Sequence, residues 1–418
     1  MKLDKYSFGI GDRFAKQGEA QLSAIMKARE QGVEITPVWN KSFREHENVG
    51  TKPQETRIEA DKAVKAMGWR DDYFVDADHI GMKNVDYFLD SSNFFTIDVA
   101  DLIGKPVDEK KVNLFVEQHK RFIDEIDIPG IDQNIIISKE KIKEIASKYL
   151  GAIEEAGKIY AYIYSKKGLG SFVVEVSMDE TNEPQTPAEL LFILAGLEQK
   201  EIPLATIAPK FSGSFYKGID YIGNINQFSK EFEQDVAIIQ FAVEEFHFPK
   251  DLKLSVHSGS DKFSIYPAIR NVLNKFDAGI HVKTAGTTWL EEVIGLAQAD
   301  GDGLKLAKEI YRKAFARFDE LQKPYATVIQ INQGELPHPE SVDKWDSETF
   351  TSTLRHDPTN AKYNSNFRQM IHIAYKIAAA IGERFFIGLE NYKEIIAENV
   401  TKNIYERHIK PIFLDEDK

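Results

Sequence analysis

Three histidines are the side chains in this sequence best suited to metal-assisted chemistry. His79, His257 and His281 each lie at or inside the end of an apolar, strand-like run. Neutral imidazole is a good ligand for zinc and other first-row divalent cations, and three imidazoles leave positions open for substrate oxygens. The chain has no HExxH pair, so this prediction depends on convergence of the strands. The alternative is that each imidazole is a hydrogen-bonded core or rim residue.

Two carboxylates lie beside these histidines or end a similar run. Asp78 precedes His79, and Glu180 follows Asp179 at the end of an apolar segment. Two carboxylates near one cation can take different pKa values and opposite roles, so we predict Asp78 and Glu180 as an acid/base pair. Two alternatives stay open for Glu180, which could be a metal ligand or, together with Asp179, negative charge at a helix entry.

Eight short apolar segments alternate with longer helical patterns over the first two-thirds of the chain. They span residues 6–14, 33–39, 72–79, 94–100, 172–180, 203–211, 252–259 and 279–286. Repeated βαβ units predict a parallel sheet, and a closed (β/α)8 barrel of the TIM type requires eight strands. The carboxyl ends of all strands meet at one face of such a barrel, so we expect the polar residues at those ends to converge.

Two further regions extend the predicted barrel. Residues 101–171 carry amphipathic helical patterns and predict a helical insert between the fourth and fifth strands. Residues 287–418 are mainly helical in pattern. We therefore predict an α/β fold in which residues 1–286 form the barrel core with its insert. Residues 287–418 are predicted to form a helical C-terminal extension packed on the barrel.

Length and composition narrow the class of protein. The chain has 418 residues, 42% of them hydrophobic, which suits one large barrel with extensions. It has no cysteine, which excludes disulfides, thiolate metal sites and cysteine nucleophiles. A formal net charge of -13 opposes a nucleic-acid or anionic membrane partner. We find no signal peptide or membrane-spanning run and expect a cytoplasmic protein, either a monomer or a homo-oligomer.

Several segments resemble the tagaturonate epimerase family. The matching stretches are FGIGDRF, KSFREHENVGT, DADH, SMDETNEPQTP, GIDYIG, HSGSDKFSIYPA, HVKTAGT and FRQMIHIAY. The resemblance implies a barrel fold, a divalent metal and conversion of tagaturonate to fructuronate. It implies His79, His257 and His281 as metal ligands and Asp78 and Glu180 as the proton-transfer pair. Members of the wider family also act on neutral ketohexoses, which leaves the substrate less certain than the reaction type.

The implied reaction inverts C4, whose hydrogen is β to the C2 carbonyl and is not made acidic by enolisation. Transient oxidation at C4 would require a nicotinamide or similar cofactor, and we predict no nucleotide cofactor because GxGxxG and GxxxxGK[ST] motifs are absent. Retro-aldol cleavage of the C3–C4 bond is the remaining route. It requires a Lewis acid for the enediolate and an acid/base group on each side of the aldehyde.

Other functions stay open at this stage. A class II-type metal aldolase would release its fragments, and a ketose isomerase or C3 epimerase would incorporate solvent deuterium. A non-catalytic sugar-binding protein would turn over no ketohexose or ketohexuronate.

Substrate contacts are predicted from the chemistry of a sugar acid. Cationic donors suit a uronate carboxylate, and the candidates are Arg13, Lys210, Lys262 and Lys283. The candidates for binding hydroxyl groups are Asp12, Ser258 and Thr284. Arg368, Gln369 and His372 of the tail either close over the site or pack between helices.

Overall fold

Eight parallel strands close into a barrel in the computed structural model, which describes residues 1–414. The strands of the chain are β1 (Tyr6–Gly11), β2 (Ile35–Ser42), β3 (Phe74–Ile80), β4 (Phe94–Asp98), β5 (Asp124–Ile126), β6 (Ile135–Ile137), β7 (Val173–Ser177), β8 (Leu204–Ala208), β9 (Lys253–Val256) and β10 (Ile280–Thr284). Around the barrel the order is β1-β10-β9-β8-β7-β4-β3-β2, and β1 pairs with both β10 and β2. The predicted (β/α)8 barrel is confirmed.

Helices cover the outside of the barrel and fill most connections between its strands. The helices up to the last strand are α1 (Gly18–Glu30), α2 (Phe43–Val49), α3 (Pro53–Met67), α4 (Glu109–Gln118), α5 (Lys139–Lys167), α6 (Pro187–Glu198), α7 (Ile225–Glu245) and α8 (Tyr266–Phe276). Local sequence sets several of their boundaries. For example, Thr186 and Glu189 form a capping box at α6, and Pro187 occupies its first turn.

The connection between β4 and β7 contains the predicted helical insert. It holds α4 and the long α5, with the antiparallel strands β5 and β6 between them. This small two-stranded sheet was not predicted from the sequence. Its strands are only three residues long each, too short for a clear alternation of polar and apolar residues.

Helices also dominate the chain after β10. They are α9 (Thr287–Gln298), α10 (Gly301–Ala316), α11 (Phe318–Gln322), α12 (Pro339–Val342), α13 (Ser347–Leu354), α14 (Ser365–Ile373), α15 (Tyr375–Ile381), α16 (Glu383–Asn391), α17 (Lys393–Lys402) and α18 (Lys410–Phe413). Among them, α17 packs against α9 and α1, which joins this region to the barrel helices. The domain division at residue 286 stays a prediction, and residues 415–418 of the predicted extension lie outside the described residues.

The interior of the barrel is divided into layers along its axis. An apolar layer near the amino ends of the strands consists of Leu3, Val38, Phe74, Phe94, Val173 and Ala205. Side chains alternate along a strand, so the next inward position on β3, β4 and β7 lies two residues later. Those positions are Asp76, Thr96 and Glu175, all essentially inaccessible to solvent. The barrel therefore has an apolar floor with a charged layer above it.

Membrane insertion through a helix finds no support in residues 1–414. None of the helices described there combines the length and apolar character needed to cross a bilayer.

Candidate active site

A cavity of about 520 Å³ opens at the carboxyl ends of the barrel strands. Eight side chains predicted from the sequence to serve the site line it, namely Arg13, Asp78, His79, Glu180, Lys210, His257, Ser258 and Lys283. The tail contributes residues 325–328 to the cavity wall. The geometry of a TIM-type barrel thus brings residues from distant parts of the chain to one concave surface.

Three side chains in this cavity form a group that could hold a metal ion. They are His79, Asp179 and His257, and their ligand atoms all lie within 4.8 Å of one another. The two imidazole rings have centroids 5.0 Å apart, and Nδ1 of His257 lies 3.1 Å from Oδ1 of Asp179. Two imidazoles and one carboxylate are a donor set that suits first-row divalent cations.

Each histidine of this group is oriented by a further carboxylate. Nδ1 of His79 donates to Oδ2 of Asp98 at 2.9 Å, and Nε2 of His257 donates to Oε1 of Glu175 at 2.6 Å. A hydrogen bond at one ring nitrogen fixes the tautomer and leaves the other nitrogen free to bind a metal. Nδ1 of His257 is such an atom, because it is buried and faces Oδ1 of Asp179, another member of the group, 3.1 Å away. The residues present therefore fit a divalent cation.

A backbone irregularity explains why both Asp78 and His79 line the cavity. Consecutive residues of a regular strand point to opposite faces of the sheet. The pairing of β3 with β4 shifts register between Ala77 and Ile80, and His79 has a φ of 52°. This left-handed conformation is uncommon outside glycine, and such residues cluster at functional sites. The bulge thus adds His79 to the face that alternation already gives to Asp78.

The carboxylates around the two imidazoles reverse the usual effect of burial. Burial alone lowers the pKa of His79, but Asp78, Asp98 and Asp179 outweigh it and raise this pKa to about 10. Burial also opposes the charge on His257, whereas Asp179 and Glu175 raise its pKa to about 9. The field at this group therefore favours positive charge, as a cation site requires.

Beneath the candidate metal group, Lys283 is buried among acidic side chains. Its ammonium lies 2.7 Å from Asp76, 2.9 Å from Asp78 and 3.0 Å from Glu175, and it also donates to Thr96. Burial raises the pKa of Asp78, but Lys283 and the two nearby histidines outweigh it and hold this pKa below its usual range. Lys283 therefore keeps Asp78 ionised. The N–H groups of the Lys283 ammonium are already engaged by these neighbours.

The third predicted ligand, His281, lies deeper in the barrel. It pairs in register with Ser255 of β9, so His257 lies two residues nearer the carboxyl ends than His281 does. Nδ1 of His281 bonds Oγ of Ser7 at 2.9 Å, and its ring centroid is 5.3 Å from that of Phe94 in the apolar layer. The structure does not bring His281 into the group, in which Asp179 supplies the third ligand atom.

Several predicted substrate contacts hold the structure together instead of lining the cavity. Asp12 accepts hydrogen bonds from the backbone amides of four residues, which are Phe14, Ala15, Lys16 and Gln17. Thr284 donates to the Gly9 carbonyl at 2.7 Å. Lys262 donates to the carbonyls of Tyr216, Ile219 and Ser260. Since their polar groups are engaged within the protein, these three residues shape the loops around the site.

The tail segment with Arg368, Gln369 and His372 packs between elements. Arg368 is fully buried and bonds Gly218, Leu354 and the carboxylate of Asp261. Gln369 exchanges two hydrogen bonds with the backbone of Gln330. His372 packs so closely against Gly286, which has a φ of 87°, that a side chain there would overlap its ring. Of the two predicted roles, the structure therefore supports packing.

The sequence reasoning missed Asp179 and Glu175 as candidate site residues. Both follow from the alternation of β7, because Glu175, Ser177 and Asp179 share the parity of Val173, which points into the barrel. A glutamate inside the apolar run VVEVS is itself a signal, since an unpaired charge is rarely buried. The helix-entry reading of Asp179 and Glu180 fails because α6 begins only at Pro187.

Comparisons with known proteins agree with this fold. A family described as UxaE, tagaturonate epimerase, matches residues 1–412. The tagaturonate/fructuronate epimerase of Thermotoga maritima is 30% identical over 417 residues, covering 96% of this chain and 80% of that protein. Crystal structures of fructuronate-tagaturonate epimerase from Cohnella laeviribosi, native and with one glycerol, superpose with a TM-score of 0.78 at 24% identity. Each alignment covers 99% of this chain and 82% of the other.

A closed α/β barrel with charged residues and two histidines in a cavity at the carboxyl ends of its strands is the architecture of an enzyme, and the relatives make it one of the isomerase class, a carbohydrate epimerase. The chain belongs to the tagaturonate epimerase family. The resemblance noted in the sequence is confirmed.

Proposed function

We propose that this enzyme interconverts D-tagaturonate and D-fructuronate by metal-dependent epimerisation at C4. The family and the activity for which the Thermotoga maritima relative is named support the substrate pair. One structural observation carries the proposal. The group of His79, Asp179 and His257, each histidine backed by a carboxylate, lies in the same cavity as Asp78 and Glu180.

We propose His79, Asp179 and His257 as the residues that hold the metal, with Asp179 in the place first given to His281. When bound there, a divalent metal supplies a Lewis acid that disperses the negative charge of an enediolate. Asp98 and Glu175 orient the two imidazoles and so fix the position of the site.

Asp78 and Glu180 are proposed as the proton-transfer pair. One carboxylate accepts the proton of the C4 hydroxyl, and the electron pair of the C3–C4 bond passes into the enediolate of the other fragment. The C4 aldehyde turns, the enediolate attacks its opposite face, and the C4 oxygen takes a proton from the second carboxylic acid. Asp78 has the unprotonated state that a proton acceptor needs, because the neighbouring Lys283 keeps it ionised. The two residues exchange roles when the reaction runs in reverse.

A product assay tests this function. Metal-supplemented enzyme is offered tagaturonate, fructuronate, tagatose and fructose, and the products are resolved by chromatography. We expect the two uronates to interconvert without deuterium entering the carbon skeleton from labelled water. Release of two free carbonyl fragments would instead indicate an aldolase, and deuterium incorporation would indicate a ketose isomerase or C3 epimerase. Conversion of the neutral sugars alone would overturn the proposed substrate class.

The proposed roles of the two acids have their own test. Asp78→Asn and Glu180→Gln are expected to keep the metal bound and to lower turnover by roughly a hundredfold or more, the range of general acid/base catalysis. Unchanged turnover in both variants would exclude the pair.

A further inference from the structure

Three of the cations predicted to bind the substrate carboxylate already have partners within the protein. Lys283 is surrounded by carboxylates, and Lys262 donates to three backbone carbonyls. Arg13 forms an ion pair with Glu45. A substrate carboxylate therefore needs a different principal partner, because these cations have their charge or their donors satisfied.

Lys217 is a cation of the cavity wall that is held in place but not paired. Its backbone amide donates to the carbonyl of Val328 at 2.9 Å, which joins its loop to the tail. Lys262 binds the carbonyls of Tyr216 and Ile219 on either side of it. Within residues 1–414, neither a hydrogen-bond acceptor nor a carboxylate lies within bonding distance of the Lys217 ammonium. The chain therefore fixes the base of this side chain and leaves its charge to the cavity.

Two arginines line the same cavity as Lys217 and add to its positive charge. The guanidinium of Arg44 lies 5.5 Å from the ring centroid of Tyr325, and that of Arg13 lies 4.7 Å from that of Tyr375. The hydroxyls of the two tyrosines are 2.6 Å apart, so both arginines rest on one connected support. Arg13 is 2% exposed, lines the cavity, and has an Nε without a hydrogen-bond partner in the described chain.

Burial and the repulsion from these arginines both disfavour the charge on Lys217. Burial, followed by Arg13 and Arg44, lowers its pKa to about 8, against the opposing effects of Glu180 and Asp78. An anion bound between them would relieve both the repulsion and the loss of solvation.

We propose that Lys217, together with Arg44 and Arg13 of the same cavity, forms a carboxylate subsite that binds C6 of a hexuronate and selects sugar acids over neutral ketohexoses. This inference rests on the proposed function and adds the residues that determine its substrate class. A neutral sugar leaves the ammonium without a counter-charge, so the subsite discriminates by leaving a half-buried charged group unpaired.

The subsite also has a consequence for the proposed reaction. Cleavage of the C3–C4 bond leaves the C4 aldehyde and the C6 carboxylate on the same three-carbon fragment. A carboxylate held by Lys217 keeps that fragment in the cavity while its aldehyde turns. Lys217 is therefore a substrate-binding residue whose loss increases the escape of fragments as well as KM.

A binding experiment tests the subsite without requiring turnover. D-gluconate and D-glucitol have the same six-carbon length and differ in one terminal carboxylate. Their binding to the metal-supplemented enzyme is measured by calorimetry for the wild type and for Lys217→Met. We expect the wild type to prefer gluconate and the variant to lose roughly tenfold to hundredfold in gluconate affinity, the range for a charge-assisted hydrogen bond. Glucitol binding should not change.

Two further variants make the result specific. Lys253→Met is the matched control. The pKa of Lys253 is likewise lowered to about 8, chiefly by burial, but its ammonium binds the Asp4 carbonyl at the opposite end of the barrel. We expect it to retain the preference for gluconate. Lys210→Met tests the competing lysine of the cavity wall. Loss of the preference in Lys210→Met but not in Lys217→Met would overturn the proposal, as would a wild type that binds both ligands equally.

The failure of this inference and of the proposed function can be told apart. A preference for gluconate that depends on Lys217, in an enzyme that does not interconvert the two uronates, supports the subsite and contradicts the proposed reaction. Uronate epimerisation with an unchanged KM in Lys217→Met supports the reaction and contradicts the subsite.

Discussion

Two histidines show how the carboxyl end of the barrel interior differs from the apolar layer near the amino ends of the strands. His257 and His281 are both buried, but only His257 lies among carboxylates. Burial lowers the pKa of His281 to about 3, since Glu175 compensates only in part, whereas Asp179 and Glu175 raise that of His257 to about 9. A step of two residues along the barrel axis therefore separates a structural imidazole from one suited to a metal.

The largest expected effect comes from exchanging each histidine for asparagine. His257→Asn removes a proposed ligand, so we expect loss of bound metal and a fall in turnover of roughly a thousandfold or more, because a Lewis acid contributes several kcal/mol. His281→Asn removes a side chain that bonds Ser7 deeper in the barrel and should leave the metal content unchanged. Metal analysis of the purified proteins and steady-state kinetics measure both results.

The same pair of variants can contradict the assignment of His281 as a structural residue. If His281→Asn lost its metal as His257→Asn does, the ligand set of His79, His257 and His281 predicted from the sequence would be restored. The layers would then have no bearing on function.

The second largest effect concerns the charged layer around Lys283. Lys283→Met leaves Asp76, Asp78 and Glu175 without their buried counter-charge, and we expect the free energy of unfolding to fall by roughly 3–5 kcal/mol. Denaturant unfolding of the wild type and the variant measures the difference. Adding Asp76→Asn to Lys283→Met should recover part of the loss, and a double variant no more stable than Lys283→Met would show that the lysine acts by packing alone.

The fold was predictable from the sequence because its signals are local and repeated. Each barrel strand lies in a short apolar run, and most of these runs are followed by a helical pattern. For example, Thr186, Pro187 and Glu189 mark the start of α6 by their residue types alone. Polar residues at the ends of the runs then indicated the correct face of the barrel.

The details of the site were not predictable in the same way, since they depend on register and on irregular backbone. The choice between His281 and Asp179 depends on how β10 aligns with β9, which no local pattern specifies. His79 reaches the cavity only through a bulge in β3, which alternation alone does not predict. Lys217 went unnoticed because its loop carries no strand or helix pattern, and its position depends on contacts with the tail.

A smaller effect separates the two carboxylates that orient the imidazoles. Glu175→Gln and Asp98→Asn should each weaken metal binding by roughly tenfold to hundredfold, the usual cost of losing a partner of a ligating histidine. We expect the larger loss in Glu175→Gln, because the Glu175 side chain is fully buried and that of Asp98 is 22% exposed. Competition with a chelator of known affinity measures both. Equal affinity in the wild type and both variants would exclude an orienting role.

The smallest effect is the pH dependence of stability that His281 contributes. The pKa of His281 is about 3 in the folded protein, below its usual value, so between about pH 6.5 and pH 3 the unfolded chain binds a proton that the folded protein does not. Folding therefore loses stability as pH falls through this window, by roughly 1.4 kcal/mol per pH unit for one proton. His281→Gln removes this contribution, so the gap in free energy of unfolding between the wild type and the variant should narrow by that amount from pH 6 to pH 5. His46 and His408 also have lowered pKa values, chiefly through burial, but they are present in both proteins and cancel in the difference. A gap that stays constant over this range would mean that His281 is already protonated in the folded barrel. His257 and His281 would then not differ in charge.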